Sequence, residues 1–305
     1  MDLQGIFEKY SWWMEFSGMR QSPSTWVIVA LVSTVIVGAG AWMVSAFFIH
    51  EANLLPIAFG LATFVLMIGL PYMKFQSIID SIEANFSDAL KQMADTLKAG
   101  DTYESALREV ANAEYGRLSE EMELALRRLE EGENLDTSLR GFAGRIESKV
   151  VKRVISIVLD SVRTGASLAD ILDEIADDVR DYHRLKEHRK ANTTMQFIFM
   201  VVAGGLIAPA IFGEVNAVMK IFSAVSTQAV SPAQQAAGAA ITNFMLTLIQ
   251  IYIIIEVLAS GTMMSIIREG KFNKSIIYIP VLLLVAFVSY YAASMVTNMM
   301  IAGAV

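Results

Sequence analysis

Five apolar runs, at 26–49, 54–73, 195–213, 239–267 and 276–300, limit what this chain can fold into. At 1.5 Å per residue each is long enough to cross a hydrocarbon layer about 30 Å thick as a helix. In lipid every backbone N–H and C=O must be satisfied within the segment, so the runs read as helices and not as open strands. Charge is divided to match. Residues 74–192 hold 18 of the 24 Lys+Arg and 24 of the 31 Asp+Glu, which leaves 13 charged groups for the rest of the chain. At 54% hydrophobic residues and a mean hydropathy of +0.48, the whole is too apolar for an ordinary soluble protein. The expected fold is all-α: a multi-pass membrane protein with about five transmembrane helices and one cytoplasmic six-helix bundle. Its segments are 1–25, an interfacial amphipathic stretch rich in Trp and Tyr; 26–74, two spans; 75–192, the helical domain; and 193–305, three spans.

Orientation follows from the basic residues. Lys9, Arg20, the 74–192 block, Arg268, Lys271 and Lys274 all fall on one side of a five-span arrangement, and the loops at 50–53 and 223–238 contain no Lys or Arg. The positive-inside rule then places the amino terminus and the helical domain in the cytoplasm, and the carboxyl terminus outside the cytoplasmic membrane. A net charge of −7 and a pI near 5.1 argue against a nucleic-acid partner. With no cysteine there is neither a disulfide nor a thiolate ligand. Neither a phosphate-binding loop nor a His-Glu-x-x-His or Gly-x-Ser-x-Gly motif occurs. No cofactor, metal or catalytic residue is expected.

Inside the polar block one phrase recurs three times, beginning at Gly100, Gly132 and Gly165. Each glycine is followed two places later by a capping residue (Thr102, Asn134, Ser167), then by Tyr103, Leu135 or Leu168, and four places on by a Leu. Gly ends a helix in the left-handed conformation without a Cβ penalty. The Thr, Asn or Ser accepts from the free N–H groups that open the next helix. The phrase therefore predicts helix, tight turn, helix. With Gly116, Gly141 and Gly144, these glycines divide 84–190 into about six helical pieces. The fifth, near 146–162, reads as the apolar centre of the bundle.

Three sets of residues are candidate sites. Glu256 is an ionisable group well inside the fourth span; it reads either as a partner contact or proton site, or as an internally hydrogen-bonded side chain. The run containing Arg180, Arg184, Lys186, Arg189 and Lys190 precedes the third span. It would either dock a partner or acidic lipid, or lie solvated at the interface. The acidic sets Glu120, Glu121, Glu123 and Glu130, Glu131, Glu133 form a candidate docking patch or a solvated face.

The three phrases, carried by 86–107, 129–139 and 159–172, are followed by Gly204-Gly-Leu-Ile-Ala-Pro209. In this order of spans they resemble the type II secretion F-domain family. Its members are inner-membrane platform proteins of type II secretion, type IV pilus, tight-adherence pilus and archaellum machines. The resemblance covers about 84–213. It implies a non-enzymatic protein whose cytoplasmic domain faces a hexameric secretion ATPase and whose spans move pilin-like subunits into a filament. Members usually carry the domain twice. This chain has it once, which implies a homodimer or a paralogous platform protein as partner. A transporter or channel subunit with a regulatory helical domain is the alternative; sparse polar residues in the spans and no evident inverted repeat count against it.

Overall fold

The computed structural model describes residues 3–19, 21–49, 54–164, 167–226, 232–270 and 272–302, and every regular element among them is helical. The order is α1 (Leu3–Phe16), α2 (Pro23–Val44), α3 (Leu55–Lys98), α4 (Tyr103–Asn112), α5 (Arg117–Glu130), α6 (Leu135–Arg145), α7 (Lys149–Thr164), α8 (Leu168–Asn192), α9 (Thr194–Met200), α10 (Ala208–Ser226), α11 (Pro232–Glu269) and α12 (Ser275–Ala302). Among the described residues, five stretches are long and apolar enough to cross a membrane: Pro23–Phe47, Leu55–Lys98, Thr194–Met219, Ala240–Arg268 and Phe272–Met300. The chain forms two compact units, one of residues 1–11, 20–70 and 190–305, the other of 12–19 and 71–189.

In the first unit, α12 is the most enclosed helix, with Leu282, Leu283, Ala286, Phe287 and Tyr290 buried. Glycines let its neighbours come close. A β-carbon at Gly213 of α10 would lie 2.1 Å from the Tyr290 carbonyl oxygen, and one at Gly261 of α11 only 3.1 Å from the backbone of Ile279. Asn216 Nδ2 donates to Tyr290 Oη at 2.8 Å and Gln250 Nε2 to Tyr291 Oη at 3.2 Å, so two buried amides link α10 and α11 to α12.

Two prolines shape the spans. Pro71, inside α3, has no N–H for the carbonyl of Met67. The indole Nε1 of Trp26 supplies the missing donor at 2.9 Å, and Tyr10 Oη donates to the next carbonyl, Ile68, at 3.3 Å. Pro209 acts on the third span. The glycine pair 204–205 and Pro209 read in sequence as an interruption; the structure keeps the chain helical and widens it into a π-helical segment at Val201–Ile207. A proline lacks the donor for the carbonyl four residues back and clashes with it, and a wider turn relieves both. Ser289 Oγ of α12 donates to the Leu206 carbonyl in that segment at 2.8 Å. The stretch 223–238, expected as a connection, is helical at both ends, because α10 runs to Ser226 and α11 begins at Pro232.

The second unit holds the lower part of α3 with α4 to α8, six helical pieces around one core that includes Ile79, Phe86, Leu90, Leu107, Leu118, Met122, Phe142, Val158 and Leu172. Gly100 and Gly132 have φ of 94° and 97°, as the repeated phrase predicts. Thr102 Oγ1 accepts from the Ser105 N–H at 3.2 Å and Asn134 Oδ1 from the Thr137 N–H at 2.8 Å. In the third copy Ser167 Oγ accepts from the Asp170 N–H at 3.5 Å, while Gly165 lies outside the described residues.

Three expectations need correction. Gly141 and Gly144 do not divide helices; both lie inside α6. α7 is not an apolar centre: Val151, Val154, Ile155, Val158 and Leu159 are buried, while Lys152, Arg153, Ser156 and Asp160 are exposed, so it buries one stripe. The aromatic amino-terminal segment does not simply lie at an interface. Met14 and Phe16 are buried, Trp12 and Phe16 meet Phe75 edge to face with ring centroids 5.0 and 5.5 Å apart, and the Arg117 guanidinium sits 4.8 Å over the Phe16 ring. These rings gain more by burial against the helical core than by an interfacial position.

Candidate docking and intramembrane sites

The acidic residues of α5 follow its helical period. Glu120 and Glu123 point outward and pair with Arg117 at 2.6 Å and Arg127 at 2.5 Å. Glu121 turns inward. Its side chain is 2% exposed, with Oε1 3.1 Å from Arg117 Nη2 and Oε2 accepting from Arg145 Nε at 2.7 Å. Its place in the candidate patch is therefore corrected: it is a core ion pair that joins α5 to the end of α6. Glu130, which pairs with Arg108 at 2.6 Å, is exposed, as are Glu131 and Glu133 at the α5–α6 turn. The outward acidic surface is Glu120, Glu123, Glu130, Glu131 and Glu133.

The basic run is not one surface either. Lys186 Nζ donates to Asp80 at 3.0 Å and Glu83 at 3.3 Å on α3. Burial alone would lower its ammonium, but the two carboxylates outweigh that and hold it above the ordinary lysine range. Glu83 also accepts from Ser148 Oγ at 2.7 Å, and that oxygen accepts in turn from the N–H groups of Val150 and Val151 at the start of α7. Arg180 pairs with Asp88 at 3.1 Å. Further along, Asp173 is bonded by both Lys91 and Lys98, whose ammonium groups hold its carboxyl down at about 2. α3 and α8 are thus joined by an antiparallel ladder of ion pairs, in which α3 supplies the acids Asp80, Glu83 and Asp88 at one end and the lysines Lys91 and Lys98 at the other. Arg184, 66% exposed beside Asp181, and Arg189 face outward. Lys190 is half-buried.

Sequence spacing did not single out Asp80, Glu83 or Asp88, because each depends on a partner about a hundred residues away. A weak signal was present: α3 carries four acids (Asp80, Glu83, Asp88, Asp95) and three lysines (Lys74, Lys91, Lys98), all from residue 74 onward.

Glu256 lies on α11 in the span Ala240–Arg268. It is half-buried, and its Oε2 is enclosed without a hydrogen-bond partner among the described residues, so the internally bonded alternative has no counterpart there. Ser260, one turn along, shares its face. A β-carbon at Gly204, in the π-helical segment, would lie 3.1 Å from Ser260 Oγ and 3.8 Å from Glu256 Oε1. No group of His, Asp or Glu residues suited to a metal ion occurs among the described residues.

Compared with known proteins, residues 89–213 match the family described as Type II secretion system (T2SS), protein F. The match begins within α3 and ends in α10, so it includes α4 to α8 and the π-helical part of the third span. No curated protein and no solved structure matches the chain.

Proposed function

Because the chain carries a domain of the type II secretion system (T2SS) protein F family at residues 89–213, we propose that it is the membrane platform of a type IV filament or type II secretion machine. Platform proteins of this family are non-enzymatic structural components of secretion or pilus assembly complexes. Work would come from a hexameric cytoplasmic ATPase and pass to pilin-like subunits in the bilayer.

The observation that carries this reading is the union of the family domain with five helices able to cross a membrane. The basic residues favour a cytoplasmic helical unit and an external carboxyl terminus in the cytoplasmic membrane. Both α3 and α8 contribute residues to the membrane unit as well as to the helical unit, and the ion-pair ladder ties them together. A tied helix pair resists sliding and can transmit displacement. A second copy of the domain would come from an identical or a paralogous chain.

Two measurements test this. A reporter active only in the cytoplasm should work after Lys274 and be silent after Val305. The full chain, purified from its native membrane in mild detergent, should bring down a secretion ATPase and pilin-like proteins. An inverted reporter pattern, or purification without either partner, would overturn the assignment.

A further inference from the structure

Charge is sorted along the helical unit. The α5–α6 turn carries the exposed acids Glu130, Glu131 and Glu133, whereas the passage from α6 into α7 is basic. The 11 residues of α6 separate these two ends by about 16 Å on an ideal helix. At the basic end the acids are engaged internally, Glu121 by Arg117 and Arg145, and Asp80 and Glu83 by Lys186. Lys149, Lys152 and Arg153 share the outward face of α7 at i, i+3 and i+4, and all three are exposed. Among the described residues no hydrogen bond or ion pair engages their side chains, and Glu147 is the one acid between Arg145 and Ile157. Ser148, the residue before Lys149, donates to Glu83 of α3 at 2.7 Å. Glu83 lies ten residues along that helix from Met73, where the second apolar run ends, which is about 15 Å of axis. A headgroup layer takes up about 6 Å of that, and electrostatic attraction reaches about 8 Å further at physiological salt. Extended lysine and arginine stems close the remainder.

We propose that Lys149, Lys152 and Arg153 form a lipid-contact site, by which the first turns of α7 hold the anionic headgroups of the leaflet from which α3 emerges. Charge complementarity selects the occupant. Three unpaired cations on one face attract a phosphate-bearing surface, and lipid at this distance is always present. A soluble acidic partner would be repelled by that same surface as it approached. The exposed acids at Glu130, Glu131 and Glu133 are repelled by it as well. The contact therefore orients the helical unit besides holding it, and leaves the acidic end turned toward the cytoplasm. The inference deepens the platform reading, on which it rests only for that orientation. The lipid contact itself rests on the three cations and the spans.

The chain has no cysteine, so Ser156→Cys, at an exposed position one turn beyond Lys152, takes a single fluorescent donor. The labelled full chain is placed in nanodiscs of phosphatidylcholine alone or mixed with phosphatidylglycerol, with equal amounts of a headgroup-labelled acceptor lipid. Time-resolved energy transfer separates a population close to the lipid from a more distant one. Phosphatidylglycerol should enlarge the close population, and high salt should reverse this without any further substitution. Each of the three basic residues changed to Gln should lower the close-to-distant ratio about fivefold. Equal transfer in the two kinds of disc, or a lipid effect indifferent to salt, would overturn the proposal. So would a lipid effect that survives Lys149→Gln, Lys152→Gln and Arg153→Gln combined. The same holds if it is lost equally with Arg108→Gln, Arg127→Gln and Arg140→Gln, an equal change of charge on exposed residues elsewhere in the unit. Melting temperatures in detergent check that the variants fold. Neither the ATPase nor pilin-like proteins enter this measurement, so its failure leaves the platform reading intact, and failure of their co-purification leaves this result intact.

Discussion

Arg145 Nε donates to Glu121 Oε2 at 2.7 Å, and the glutamate side chain is 2% exposed. The pair holds α5 against the end of α6, and Arg117 closes on the other carboxylate oxygen. Removing one partner of a buried pair typically costs about 3–5 kcal/mol, because the other charge stays buried. Glu121→Lys should therefore unfold the helical unit or lower its melting temperature sharply. Glu120→Lys, at a 62% exposed side chain, should change stability by less than about 1 kcal/mol. Melts of the two full-length variants in detergent make the comparison.

The glycines separate in the same kind of assay. At Gly100 and Gly132 nothing obstructs a β-carbon, but φ near +95° disfavours any L side chain. Replacement by Ala should destabilise by about 1–2 kcal/mol and Val should be worse. Gly144 sits in α6 with open space around it, so Gly144→Ala should stabilise by about 0.5–1 kcal/mol.

These outcomes show which features were legible in the sequence. The five spans and the turns at Gly100 and Gly132 were, because each is decided within a few residues by hydrophobicity, capping and φ. Gly141 and Gly144 were misread as breaks because a helix absorbs a glycine at about 1 kcal/mol, and packing of Phe142 and Ala143 in the core exceeds that. The burial of Glu121 needed Arg145 beside it, and the docking of Trp12 and Phe16 needed Phe75. No local pattern reports such distant partners. At Glu256 the anomaly, an acid in an apolar helix, is visible without a structure. The opposing Gly204 and its π-helical turn came only from the structure.

Pro71 and Trp26 should be energetically coupled. Trp26→Phe leaves the Met67 carbonyl without its indole donor and should cost about 1 kcal/mol. With Pro71→Ala the helix can supply its own N–H, so Trp26→Phe should then cost much less. A double-mutant cycle read by thermal melts in detergent checks this, and strictly additive losses would contradict the account.

Acid should loosen the α3–α8 ladder at its Asp173 rung. The Asp173 carboxyl is lowered from 3.8 to about 2 by the hydrogen bonds of Lys91 and Lys98. A depressed carboxyl contributes stability above its unfolded value and loses it as pH falls through the folded one. The difference in melting temperature between the unmodified chain and Asp173→Asn should be constant above about pH 5 and shrink as pH falls toward 2. A difference unchanged over that range would remove Asp173 from the ladder.

A platform role requires that an ATPase couple to the charged face of the helical unit. The direct measurement is a titration of the cognate ATPase against the full chain in lipid nanodiscs, at several salt concentrations. It would use Lys substitutions at Glu120, Glu123, Glu130, Glu131 and Glu133, a separate Arg184→Glu variant, and Glu121 left intact. Charges at an interface rim set encounter and orientation and are screened over about 8 Å at physiological ionic strength. The account predicts that at least one reversal set weakens binding by about tenfold or more at low salt, that the gap narrows as salt rises, and that melting temperatures stay unchanged. Binding and salt dependence indifferent to both sets would contradict it.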